Sequence, residues 1–211
     1  GRLIGETLEL GGMSGTAWVS EALAELSTTK NLRVMPRTTV YGAFDHGIYG
    51  ALEHTTDRQS SNKQKPRQVL WKIYSKRAIL CTGATERLIA FGNNDRPGVM
   101  LAGATRAYLN RWSVTPGKRI AIFTNNDDGW RTATDLVRRD MEVTAVVDTR
   151  EGIAHATPRG TSVVMGGRII DTKGRRGIRS FTLSNGHPVP ADCLAVSGGW
   201  SPNIHLTCHQ G

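Results

Sequence analysis

No stretch of this 211-residue chain approaches the roughly 20 consecutive apolar residues a membrane helix requires, and no charged-then-apolar secretory leader opens it. A cytoplasmic location is expected on that ground. Cysteine is scarce: Cys81, Cys193 and Cys208 are odd in number, widely separated and never in a Cys-x-x-Cys pair, which argues against a zinc ribbon or an iron–sulfur centre. The histidines, His46, His54, His155, His187, His205 and His209, show no metal-ligand spacing. No Gly-x-Ser-x-Gly elbow or Cys/His arrangement points to nucleophilic catalysis. Asp45-His46 reads as an exposed turn pair rather than an acid–base couple.

What is present describes a globular chain, with 38% hydrophobic and 21% charged residues and length enough for one large or two small domains. The formal net charge is +9. The basic residues are spread along the chain, with modest concentrations at 58–76 and 168–179, and no recognition helix or aromatic-plus-basic motif accompanies them. Nucleic acid is therefore not an expected partner. Solvated strand edges and hairpin tips account for the charge, with a docking surface for an acidic partner subunit as the alternative.

The most informative stretch is Arg77-Ala-Ile-Leu-Cys-Thr-Gly-Ala-Thr-Glu-Arg87. Its apolar run, residues 78–81, predicts a strand covered on both faces, leading into a Thr82-Gly83-Ala84 turn. Cys81 and Cys193, both in apolar contexts, are expected to be buried thiols. A second turn of this kind is Ala195-Val-Ser-Gly-Gly-Trp200. In open α/β sheets ligands lie beyond the carboxyl ends of strands. The two turns are expected to end neighbouring strands of one sheet and to open onto a shared crevice.

Along the chain, a short strand is predicted over 6–10 and a helix over 17–27, capped by Thr16. A strand follows at 32–35, then a β-meander from 38–44, 48–54 and 69–74. Residues 56–66 read as a polar hairpin tip. A helix is expected over 103–112, then a nested strand–helix–strand unit at 119–123, 128–139 and 142–147. Two or three antiparallel strands come next, with a hairpin signal at Asn185-Gly186, before residues 193–196 return to the first sheet.

The nested unit has the scaffold of a dinucleotide site but not its turn chemistry. Thr124-Asn-Asn-Asp-Asp128 leaves only Gly129 where close approach of a pyrophosphate demands glycines. Asn125 and Asn126 would crowd a phosphate, while Asp127 and Asp128 place negative charge where the helix dipole would favour an anion. Asp128 reads as the N-cap and Asp127 as a structural acid. Asp148, in the usual ribose-binding position, reads as a strand-end carboxylate. The nested unit is expected to be a scaffold.

The blocks Asn93-Asn-Asp-Arg-Pro-Gly-Val-Met-Leu-Ala-Gly-Ala104, Tyr108-Leu-Asn-Arg111, Phe123-Thr-Asn-Asn-Asp127 and Pro36-Arg-Thr-Thr-Val-Tyr-Gly-Ala-Phe-Asp-His46 closely resemble the alpha subunit of heterotetrameric sarcosine oxidase. The resemblance covers essentially the whole chain. It implies an α/β, interrupted dinucleotide-binding (glutathione-reductase-like) fold with a nested Rossmann-like unit and an antiparallel β-meander. In that family the first Rossmann strand carries a Gly-x-Gly-x-x-Gly turn. No such turn is present: Gly11-Gly12-Met-Ser-Gly15 has the wrong spacing, so the chain reads as an interior fragment. The expected division is 1–115 for the outer domain with the meander, 116–190 for the nested unit and 191–211 for the return.

The resemblance further implies one wall of a cofactor site. Thr39, Val40 and Tyr41 would lie beside the adenine, Thr82, Gly83 and Ala84 would pass the pyrophosphate and ribose, and Gly198 and Gly199 would close the far side. Glu86 and Arg87 either pair with each other or face the cofactor, and Trp200 either stacks on a flat ring or seals the last strand. The implied cofactor is NAD, with FMN and FAD in an assembled complex of beta, gamma and delta partner subunits that oxidatively demethylates sarcosine. Amine oxidation would take place on the beta subunit, and no catalytic residue is expected here. Two alternatives are a subunit of an opine or amino-acid dehydrogenase or hydrogen cyanide synthase, and a non-catalytic scaffold that binds no nucleotide.

Overall fold

Strands rich in Val, Ile and Ala alternate with helices in the second half of the chain, and this pattern builds a parallel sheet. The computed structural model describes residues 3, 5–6, 9–55, 66–152 and 155–209. In chain order its elements are β1 (Glu9–Leu10), β2 (Met13–Ser14), α1 (Gly15–Thr28), β3 (Thr38–Phe44), β4 (Ile48–His54), β5 (Gln68–Tyr74), β6 (Ala84–Glu86) and β7 (Val99–Leu101). There follow α2 (Ala102–Trp112), β8 (Arg119–Thr124), α3 (Asp127–Arg138), β9 (Glu142–Asp148), β10 (Ser162–Met165), β11 (Ile169–Lys173), β12 (Ser180–Leu183), β13 (Pro188–Pro190), β14 (Cys193–Ser197), β15 (Trp200–Pro202) and α4 (His205–Cys208). The chain divides into two compact units, Gly1–Thr16 with Thr85–Ser201, and Ala17–Ala84 with Pro202–Gly211.

The first unit is organised on a five-stranded sheet of order β10-β9-β8-β14-β7, every ladder of which is parallel. Side chains alternate across it. Ile120, Ile122, Val146, Cys193 and Ala195 face one layer, where they pack with Ala102 and Leu109 of α2 and Trp130, Ala133 and Leu136 of α3. Ala121, Phe123, Val147, Leu194 and Val196 face the other, where they meet Ile169, Phe181 and Leu183 of the antiparallel sheet β11-β12-β13. Both faces are thus covered, which is why these strands read as continuous apolar runs. Burying Phe123, Ile120 and Ile122 contributes about 1.5–3 kcal/mol per side chain. Helix α2 stops where Ser113 takes a left-handed conformation (φ 52°) and its N–H bonds back to Leu109.

The fold class is as expected, α/β with a parallel sheet and antiparallel sheets. One strand lies elsewhere than expected. Residues 193–197 do not leave for an outer sheet: β14 inserts between β8 and β7. It is buried on every residue, because its side chains enter both core layers and both of its edges are paired. In the Asn185-Gly186 hairpin, the Asn185 carboxamide accepts the His187 N–H at 3.1 Å and Gly186 has φ 85°.

The second unit contains the antiparallel meander β3-β4-β5, with a register shift between Val40 and Gly42. Trp71 donates to Glu53 Oε2 at 2.6 Å, and Arg33 lies over its ring at 4.3 Å. Three expectations require correction. Residues 32–35 are irregular, not a strand. The apolar run 78–81 is also irregular and open to solvent, Ile79 being 91% exposed and Cys81 exposed. Apolar content makes a strand only where a neighbour takes up its backbone N–H and C=O groups, and among the described residues no ladder includes this run. Helix α1 begins at Gly15, so Thr16 lies inside it and does not precede it as a cap; its Trp18, Leu23 and Leu26 are 44%, 49% and 39% exposed. Residues 56–65 of the hairpin tip expected at 56–66 lie outside the described residues, as do Thr7 and Leu8 of the strand expected at 6–10. Among the described residues no helix is long and apolar enough to cross a membrane.

Candidate functional site

Strands β8, β14 and β9 end together on the carboxyl edge of the first unit's sheet, where an α/β fold normally presents its ligand site. The chain fills this edge with its own side chains. Asn126, not the expected Asp128, caps α3: its Oδ1 accepts the Asp128 N–H at 3.0 Å. Its Nδ2 donates to Ser197 O at 3.0 Å and Ser197 Oγ at 3.1 Å. Thr124 Oγ1 accepts the Asn126 N–H at 3.1 Å and donates to the Asn126 carbonyl at 2.9 Å. Asn126 wins the cap because its side chain serves both the helix terminus and the neighbouring strand end. Thr124 and Ser197 are fully buried, and a Cβ on Gly129 would sit 2.4 Å from the Thr124 side chain. Helix and strand therefore meet where a phosphate would need space.

The second half of a nucleotide site is engaged as well. Asp148 is fully buried and accepts from Trp130 Nε1 at 2.7 Å, from the Arg150 N–H at 2.9 Å and from its guanidinium at 2.8 Å. Burial alone would raise its pKa, but the Arg150 and Trp130 hydrogen bonds outweigh it and hold the carboxyl below the ordinary range. Arg150 also reaches Asp127 at 2.9 Å, and His155 Nε2 lies 3.3 Å from the same carboxylate while its ring stacks on Trp130, centroids 4.5 Å apart. The Arg150 hydrogen bond lowers the Asp127 pKa. Asp127 and Asp148 are thus both held in ion pairs with Arg150. Trp130 and Arg150 were not singled out from sequence, although a Trp in the first turn of α3, 18 residues before a strand-end Asp, was the available signal.

A cleft on the flank of α3 is lined by Glu6, Arg106, Asp127, Trp130, Arg138 and His155, among others. Its charges are largely spent internally, Arg106 binding Glu6 at 2.9 Å and Asp135 at 2.5 Å. Burial tends to lower the Arg106 pKa, but the Asp135 and Glu6 contacts raise it overall. Among the described residues no group of three or more His, Cys, Asp or Glu side chains could hold a metal ion.

The remaining candidates fall into the two units. In the first, Glu86 is buried and its Oε2 accepts the Gly103 N–H at 2.7 Å at the start of α2. This favourable carboxylate–helix contact was in neither expected alternative. The Arg87 backbone bonds to Gly199 and Gly198 at 2.8 and 2.7 Å, and the Trp200 ring packs over Gly103. In the second, the Thr82 hydroxyl donates to Asn203 O at 2.6 Å, Asn203 Nδ2 donates to Thr82 O at 3.0 Å and the Asn203 N–H donates to Gly83 O at 2.9 Å. Thr39, Val40 and Tyr41 lie on β3, where Val40 and Tyr41 are 38% and 53% exposed.

The expectation that the two glycine turns end neighbouring strands of one sheet is corrected. Gly198 and Gly199 do follow β14, but the ladder partners of β14 are β7 and β8. Thr82 and Gly83 precede β6 and follow no strand.

No family model matches the chain. Over 216 residues, covering all of the chain, it is 38% identical to the sarcosine oxidase subunit alpha of Rhizobium meliloti (strain 1021). Over 94% of its length it is 34% identical to the subunit alpha of Corynebacterium sp. (strain P-1). It spans 22% of the length of each of these relatives. Among solved structures it superposes on an L-proline dehydrogenase from P. horikoshii with TM-score 0.67 at 20% identity, covering 96% of this chain and 35% of that one. It also matches a NAD-dependent persulfide reductase from A. fulgidus with TM-score 0.61 at 16% identity, covering 88% and 35%. These structural likenesses concern the fold alone. Across nearly its whole length, then, this chain is homologous to one stretch of the sarcosine oxidase alpha subunits, folded on the dinucleotide-binding plan.

Proposed function

We propose that this chain is the dinucleotide-fold portion of an oxidoreductase subunit that serves the oxidative demethylation of sarcosine, with amine oxidation on a partner beta subunit. Its own part is to bind NAD and to join an assembly that also includes gamma and delta subunits and the flavins FMN and FAD. The observation that carries this reading is the 38% identity, sustained over the entire chain, to a sarcosine oxidase alpha subunit.

The site chemistry directs the cofactor away from the nested turn. Asn126 is bonded to Ser197 at the turn where a dinucleotide fold takes its pyrophosphate, and Asp148 is committed to Trp130 and Arg150, so those residues do not fit a dinucleotide and no step is assigned to them. The proposed contacts are Thr39, Val40, Tyr41, Thr82, Gly83 and Ala84 of the second unit. Because the Thr82 hydroxyl is bound to Asn203, that stretch would offer backbone rather than side chain. Gly198, Gly199, Arg87, Glu86 and Trp200 of the first unit are proposed on the resemblance alone. When bound, NAD would supply hydride-accepting chemistry.

Calorimetric titration of the intact subunit with NAD, NADP and FAD tests the proposal. NAD is expected to bind, and Asn126→Gly is expected to leave its affinity unchanged. Failure of the intact subunit to bind any dinucleotide would refute it. It would favour the second reading that the filled Asn126–Ser197 turn supports, a dinucleotide fold kept as a scaffold. Loss of NAD binding in Asn126→Gly would return the cofactor to the nested turn.

A further inference from the structure

From the last residue of β11 to the residue before β12, the turn Lys173-Gly-Arg-Arg-Gly-Ile-Arg179 carries four cations and no acid in seven residues. Lys173, Arg175, Arg176 and Arg179 are all exposed. Among the described residues, none of the four forms an ion pair with a carboxylate. The adjacent acid, Asp171, is already taken up by Asn93 Nδ2 at 2.6 Å and the Thr172 N–H at 2.8 Å.

The turn is also held from beneath. Arg96 donates through Nε to Thr172 Oγ1 at 3.2 Å, through Nη2 to Thr172 O at 3.3 Å, and through Nη1 to Gly174 O. Thr172 Oγ1 donates to Asn93 O at 2.8 Å, and the Ile178 N–H donates to Pro97 O at 2.8 Å. The Arg179 N–H closes the turn on Lys173 O at 2.8 Å. Gly174 has φ 150°, and a Cβ there would lie 1.8 Å from Gly177 O. Only glycine permits this close approach. The Asn93–Gly98 block, which no part of the cofactor reading uses, is therefore the buttress of a rigid cationic turn.

Like charges gathered on one turn repel and oppose folding, and a plain chain reversal has no need of them. Fixing the backbone that carries them lowers the ordering entropy that association would otherwise cost. We propose that the stapled turn Lys173–Arg179 is a docking surface for a protein partner that presents clustered carboxylates. Three of its four cations are arginines, whose planar forks engage carboxylates bidentately. Residues 168–180 contain no aromatic side chain to stack on nucleobases. Ile178, the apolar residue within the turn, is 4% exposed and offers nothing to insert into a bilayer.

Fluorescence anisotropy with a labelled poly-glutamate peptide tests this on the intact protein, alongside an oligothymidylate and phosphatidylcholine/phosphatidylserine vesicles. The wild type is expected to bind the peptide with an affinity that falls as salt rises. Arg175→Gln with Arg176→Gln is expected to weaken binding about tenfold while leaving the melting curve unchanged. Arg138→Gln with Arg139→Gln, which removes two exposed cations from the end of α3, is expected to change affinity less than about twofold. The proposal is overturned if poly-glutamate does not bind, or if both double variants lose affinity alike. Tighter binding of the oligonucleotide or the vesicles, abolished by the 175/176 variant, would overturn it too and assign the turn to nucleic acid or membrane.

Discussion

Replacing Trp130 by phenylalanine isolates one hydrogen bond at the heart of the first unit. The indole is 5% exposed and its Nε1 donates to Asp148 Oδ2 at 2.7 Å, on a carboxylate with no solvent exposure. The phenyl ring retains most of the packing against the α3-side core. A hydrogen bond to an ionised group contributes about 1.5–3 kcal/mol, and the volume lost with the smaller ring adds about 1 kcal/mol. The expected loss at pH 7 is about 3 kcal/mol, a large share of the roughly 5–15 kcal/mol that holds a typical domain folded. The pH dependence has a definite sign. Asp148 is held below its ordinary pKa in the folded state, so its contribution is complete above the unfolded value near 3.9 and disappears as pH falls through the folded value. Removing the indole donor raises the folded value toward the unfolded one. The gap between wild type and Trp130→Phe should therefore narrow below about pH 4, toward the packing remainder of about 1 kcal/mol. Urea unfolding followed by circular dichroism across pH 3–7 measures both quantities. A gap that is independent of pH, or below about 1 kcal/mol at pH 7, would show that Trp130 does not stabilise the Asp148 anion.

Two further outcomes follow from the same unit. Asn126→Ala removes the α3 cap and both bonds to Ser197 and should lower the urea midpoint by the equivalent of about 1–2 kcal/mol, with Asn126→Asp recovering the cap component only. With Ellman's reagent at pH 8 the native protein should show two reactive thiols, since Cys81 and Cys208 are exposed while Cys193 is buried, with burial pushing its pKa up to about 12. The third thiol should react only after denaturation, and three fast thiols in the native state would contradict the central position of β14.

The elements that were legible are those whose local pattern and tertiary surroundings agree. Strands β8 and β9, helices α2 and α3 and the Asn185-Gly186 hairpin follow from apolar periodicity and turn chemistry. The degenerate Thr124–Asp128 turn was readable because glycine content at a pyrophosphate turn is a local requirement. The failures have one physical source. Residues 78–81 have the composition of a buried strand but no ladder among the described residues, and Cys81 is exposed with them. The strand expected at 193–196 forms as β14, but it pairs with β7 and β8. Apolar composition makes a covered strand possible but carries no information about which neighbours, if any, pair with it and cover it.

The sequence alone determined the class of architecture, the poverty of the nested turn in glycine and the family likeness, because propensity, periodicity and turn chemistry act over a few residues. Only the tertiary structure decided that Asn126 rather than Asp128 caps α3, that Trp130 and Arg150 take up Asp148, and that Glu86 bonds to Gly103. Each of these pairings joins groups that compete for several possible partners. Which partner prevails depends on which strand ends and helix termini the packed sheet brings within hydrogen-bond distance.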